Sequence, residues 1–94
     1  MTIKSFKESL LTAQPPEEIN EHLKALWYDA RGNWDEAHKI IQDIDDKNAS
    51  WIHAYLHRKE GDLSNARYWY NKAGKNAPLS SLDTEWEHLV TSLL

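Results

Sequence analysis

The chain states one short pattern twice. Ala25-Leu26-Trp27-Tyr28-Asp29-Ala30-Arg31-Gly32-Asn33-Trp34-Asp35-Glu36-Ala37 returns in outline as Ala54-Tyr55-Leu56-His57-Arg58-Lys59-Glu60-Gly61-Asp62-Leu63-Ser64-Asn65-Ala66. The offset from Gly32 to Gly61 is 29 residues, and it also carries Ala25 to Ala54, Asn33 to Asp62 and Ala37 to Ala66. A fixed period of about 20–50 residues marks units that bury their apolar faces against one another. In each copy a glycine, tolerant of positive φ, ends one helix. The residue after it, Asn33 or Asp62, is a natural cap for the next. Junctions this short force the two helices to run antiparallel. Ala37 and Ala66, early in each second helix, let the two backbones approach closely.

Helical spacing of apolar residues supplies the rest of the architecture. Ile3, Phe6, Leu10 and Leu11 predict a short N-terminal helix that Pro15-Pro16 ends. Pro16 followed by Glu17 and Glu18 predicts a new helix start, with acids at the positive end of the dipole. Ile19, Leu23, Leu26, Trp27 and Ala30 continue that helix to Arg31. Trp34, Ala37, Ile40, Ile41 and Ile44 form the next stripe, and Asn48 is the expected cap after the polar turn at Asp45-Asp46. Trp51, Ile52, Tyr55 and Leu56 mark a helix ending near Glu60. Leu63, Ala66, Trp69, Tyr70 and Ala73 mark another, closed by Gly74 and Pro78. Ser80 or Ser81 caps a last helix carrying Leu82, Trp86, Leu89, Val90, Leu93 and Leu94. No β-branched alternation suggests a strand. The reading is an all-α fold of two antiparallel hairpins, an α-α superhelix, with a short N-terminal helix and a C-terminal capping helix. It forms a single domain over 1–94, with repeat one at about 17–46, repeat two at about 47–77 and the capping helix at about 81–94.

Composition narrows the functions. Ninety-four residues with 40% hydrophobic content make one modest core, which five Trp and four Tyr help to fill. A net charge of −4 argues against nucleic acid and against an anionic membrane surface. Without cysteine there is no disulfide or thiolate chemistry. The N-terminus lacks the apolar run of a signal peptide, and no stretch approaches the ~20 apolar residues of a membrane span. A cytoplasmic protein is the expectation.

Ala54, Gly61-Asp62, Ala66, Tyr70, Ala73 and Pro78 stand at the spacing of a tetratricopeptide repeat, which the chain resembles over about residues 19–78. The first copy keeps Ala25, Tyr28, Gly32 and Ala37 but has Ile41 and Ile44 where an aromatic and a later alanine would fall. Ala66 to Ala73 also looks like the second helix of a Sel-type repeat. The run Trp51 to Asp62 is similar to a block in small helical proteins of bacteria, a likeness that carries no activity. The period of 29 is shorter than the family's usual 34, so the loops are trimmed. The resemblance implies a binding module whose first helices line a concave groove. By position that groove would offer His22, Leu26 and Asp29 from the first copy, and Trp51, Tyr55, Arg58 and Lys59 from the second. A protein or peptide partner is implied. The apolar stripe ending in Leu93-Leu94 leaves a homodimer through the C-terminal helix as a further use.

Two polar groupings compete with that reading. His53 and His57, four apart, share one face of a helix, with Glu60 one step on. The pair lacks the glutamate after His53 that the zinc-protease motif requires, and the sequence nominates no third strong ligand. Both are read as buried structural imidazoles bonded to tyrosine or carboxylate, with no metal or other cofactor. Arg58 and Glu60 beside these histidines could instead line a small-ligand or catalytic pocket. No glycine-rich phosphate loop, cysteine nucleophile or paired carboxylates appear, so no catalytic residue is named. The binding candidates are therefore Trp51, Tyr55, Arg58, His53, His57 and Glu60. A non-catalytic interaction module is the first reading, and a small-ligand or catalytic protein the alternative.

Overall fold

The duplicated glycines turn the chain in the same way twice. A computed structural model describes residues 1–94 as six helices. These are α1 (Ile3–Ser9), α2 (Glu21–Ala30), α3 (Trp34–Ile41), α4 (Lys47–Glu60), α5 (Leu63–Ala73) and α6 (Leu82–Leu93). Gly32 and Gly61 sit between the helices of each hairpin with φ of +80° and +89°. The Asn33 amide reaches back to the Tyr28 carbonyl and the Asp62 amide to the His57 carbonyl, each at 2.9 Å. This six-to-one bond needs a left-handed residue before it, which is why glycine stands there. The Asn33 and Asp62 side chains then accept from the amides of Glu36 and Asn65. One hydrogen-bonded junction is thus encoded twice.

α4 against α5 and α2 against α3 are the two most extensive helix contacts, and α3 packs on α4 to join the hairpins. Ala37 and Ala66 are buried at the close approaches. The core runs through Phe6, Leu26, Trp27, Ile41, Ile52, Leu56 and Leu89. Tyr68 is exposed on α5 while Tyr70, two residues on, is buried. No helix is long and apolar enough to cross a membrane.

Three local expectations change. α2 opens at Glu21, because the Asn20 side chain accepts from the Leu23 amide at 2.9 Å and outcompetes the proline turn upstream as a cap. α4 opens before Asn48, because Asp46 takes the cap and accepts from the Ala49 amide at 2.7 Å. That bond holds the Asp46 carboxyl below its ordinary range, with His22 at 3.0 Å adding to the effect.

The third change bears on the site. α6 closes the domain by lying against the first helices of both hairpins, α2 and α4, with α1 packed on it. Trp86 donates its indole N–H to the Leu26 carbonyl at 3.1 Å. Leu26, Trp51 and Tyr55, placed by the resemblance on an open groove, are therefore buried. The α6 stripe kept for a homodimer is also largely used within the chain: Trp86, Leu89 and Val90 are buried, and Leu94 is exposed.

Candidate functional site

The six candidate residues fall on two faces of α4. At 100° per residue, Trp51, Tyr55 and Arg58 share one face, and His53, His57 and Glu60 lie about half a turn away. The structure brings each trio to a different neighbour.

Trp51 and Arg58 meet the carboxylate of Glu85 on α6. The Trp51 indole donates to Oε2 at 3.2 Å and the Arg58 guanidinium to Oε1 at 2.7 Å. The Tyr70 hydroxyl adds contacts of 2.9 and 2.7 Å to the two oxygens. Arg58 also donates to the Ser80 carbonyl. Glu85 is only 3% exposed, so these donors replace the water it has lost. Burial, and then the bond to Glu85, push the Tyr70 phenol well above its ordinary range, so it stays a donor. Arg58 is committed to holding α6, which removes it from any pocket shared with the histidines.

Tyr55 turns toward a cleft of about 440 Å³ between α1, α2, α4 and α6. Asp29, Lys59, Lys7, Trp86 and Glu87 are among its walls. Lys59 Nζ donates to Asp29 Oδ1 at 3.0 Å, and Lys7 pairs with Glu87. Asp29 is 1% exposed, with the Tyr55 hydroxyl beside its carboxylate. Burial, followed by the charge of Asp29, drives the Tyr55 phenol far up.

The opposite face of α4 carries the densest imidazole cluster. His38 of α3 comes to meet His53 and His57, and one ring nitrogen of each lies within 4.8 Å of the others. His38 Nε2 and His53 Nε2 are 3.0 Å apart. His57 Nδ1 bonds Glu60 Oε2 at 2.5 Å, and the Asn65 amide lies 3.3 Å from His57 Nε2. Indole rings fix two of the planes: Trp69 stacks on His53 at 3.8 Å between centroids and Trp34 on His38 at 4.9 Å. His38 is the member that sequence reasoning did not nominate. Its spacing along α3 says nothing of α4, and only the packing of α3 on α4 makes it the third imidazole.

Burial, then His38, His57 and Lys72, push His53 down to about 4. Burial and then His57 lower His38 as well, against the opposing pull of Glu60 and Asp35. In the unfolded chain both imidazoles take up protons near 6.5. Between there and about pH 4 the unfolded state holds more protons than the folded state, so stability falls as pH falls. It is fully present above about pH 6.5. At about 1.4 kcal/mol for each pH unit, the His53 contribution is on the order of 3 kcal/mol. Urea titrations should show the unfolding midpoint dropping steadily from pH 7 to pH 4.5. In His53→Phe, which keeps an aromatic ring on Trp69, most of that slope should vanish. A variant slope equal to that of the wild type would place the acid sensitivity elsewhere.

Compared with protein-family models, curated proteins and solved structures, the chain has no match. The fold and site define a six-helix domain in which two glycine-hinged hairpins are closed by a C-terminal helix.

Proposed function

We propose that this chain is a non-catalytic interaction module of the tetratricopeptide-like class that takes a peptide in the cleft between α2 and α4. One observation carries the reading: Asp29 from the first helix of one hairpin and Tyr55 and Lys59 from the first helix of the other line a single cleft. These are residues that the resemblance assigns to a ligand groove. Trp51 and Arg58 drop out of the contact set because Glu85 engages both.

The chemistry of the walls selects a donor. Asp29 is buried, held by Lys59 and beside the Tyr55 hydroxyl, so the acid a ligand meets is the exposed carboxylate at the rim. Asp83 at the rim is the acid that no basic side chain engages, since Glu87 pairs with Lys7 and Asp29 with Lys59. A lysine or arginine side chain, or a free N-terminal amine, fits this wall.

Selection from a random-peptide display library on the immobilised chain tests the proposal. Enriched peptides should carry a basic residue or a free amine. Their affinity, read by fluorescence anisotropy, should fall several-fold in Asp83→Asn and stay unchanged in His38→Ala. No enrichment over the bare support, or equal binding by Asp83→Asn, would defeat it.

A further inference from the structure

We infer that His38, His53 and His57 form a three-imidazole site for a divalent transition-metal cation of the zinc kind, bridging α3 and α4. The site lies on the face of α4 opposite the peptide cleft and stands independently of it.

Its first support is geometry. A tetrahedral zinc ion with bonds of about 2.0–2.1 Å holds its nitrogens roughly 3.4 Å apart. Here two Nε2 atoms are 3.0 Å apart, and the three donors lie within 4.8 Å of one another. Ring shifts of less than about 1.5 Å would close the triangle to the spacing of metal ligands. His53 and His57, four apart on one helix, form the fixed edge, and His38 arrives across the helix interface.

The second support is the outer shell. Histidines that bind zinc commonly give their other ring N–H to a carboxylate, which sets the tautomer and raises ligand basicity. Glu60 does this for His57 at 2.5 Å, which puts the lone pair on Nε2, where the Asn65 amide is the group an ion would displace. Trp34 and Trp69 hold the His38 and His53 rings from outside. Without an ion, hydrogen bonds pair these same nitrogens. Two facing Nε2 atoms share one proton, and His57 Nε2 is met only by the Asn65 amide at 3.3 Å, whereas one cation accepts all three lone pairs. Imidazole-only donors suit zinc, copper and nickel better than calcium or magnesium. Three protein ligands leave a fourth position for water, the arrangement of an open site.

The test adds zinc to the purified chain in calorimetry and cobalt(II) in visible spectroscopy. The wild type should bind one zinc per chain and, with cobalt, give the intense visible bands of a tetrahedral ion. His38→Ala should weaken zinc binding at least 100-fold and abolish those bands while circular dichroism stays helical. Glu60→Gln should weaken binding about 10- to 100-fold. Absence of both heat and cobalt bands in the wild type would overturn the assignment. So would a His38→Ala chain that binds like the wild type, since the ion would then sit elsewhere, His57, Glu60 and Asp62 being the other group close enough to hold one. His38 is the most exposed of the three ligands, so its variant keeps the test decisive even if His53→Ala fails to fold.

Discussion

Replacing Glu85 with alanine is expected to destabilise the domain by about 3–5 kcal/mol, a large part of the 5–15 kcal/mol typical of a small domain. The loss has an identifiable source. Arg58, Trp51 and Tyr70 all donate to this one carboxylate, and its removal leaves a partly buried cation and two buried donors unpaired. Breaking one side of a buried pair is worse than removing both. The double variant Arg58→Met with Glu85→Leu should therefore recover much of the loss. The cycle formed by Arg58→Met, Glu85→Leu and their double variant, measured by urea unfolding, should return a coupling of at least about 1.5 kcal/mol between the two positions. Independent, additive effects would show that Glu85 does not act as the common acceptor. Since α6 is held through this carboxylate, its amides should also lose hydrogen-exchange protection first in Glu85→Ala.

Phe6→Ala is expected to cost about 3–5 kcal/mol, the usual range for emptying a fully buried aromatic site. Phe6 is 0% exposed and its ring lies 5.9 Å from that of Trp86. It is the one buried residue of α1, a helix of seven residues. So short a helix has little stability of its own, and the remaining ties are the half-buried Ile3 and Leu10, the Lys7–Glu87 pair, the Trp27 indole to Ser9, and Arg31 to the carbonyls of Leu10 and Thr12. Without Phe6 these should not hold α1 in place, which would uncover one wall of the cleft containing Asp29. Calorimetric melting would measure the loss, and proteolysis within residues 1–20 would report release of the segment. A variant that melts like the wild type and resists cleavage would mean that α1 is held without Phe6.

Trp51, Tyr55 and Arg58 follow from the groove that the resemblance implies, and His53, His57 and Glu60 from their spacing on one helix. Their division into two trios was already legible from helical periodicity, since positions 51, 55 and 58 repeat at i, i+4 and i+7, as do 53, 57 and 60. The destination of each trio was not. Glu85 left a readable signal as an acid at the margin of the Leu82, Trp86 and Leu89 stripe, where a charge must find buried partners. Asp29 left the same signal beside Leu26 and Ala30. His38 left none, because an exposed histidine and a cluster histidine have the same spacing along α3.

What this sequence determined alone is local. Positive φ at Gly32 and Gly61, the caps at Asn33 and Asp62, and the small residues at Ala37 and Ala66 act within one junction or one hairpin, where chain connectivity supplies the geometry. They sufficed for an all-α domain with duplicated hairpins. The placement of α6 across α2 and α4 was decided only in the tertiary structure. A helix with a wide apolar stripe can bury it on any complementary face, and the choice here depends on contacts from 15 to 60 residues away in sequence, at Tyr70, Arg58, Trp51 and Leu26. That choice covered the expected groove, committed Arg58 to Glu85, and left the cleft at Asp29 and the imidazole cluster on opposite sides of α4.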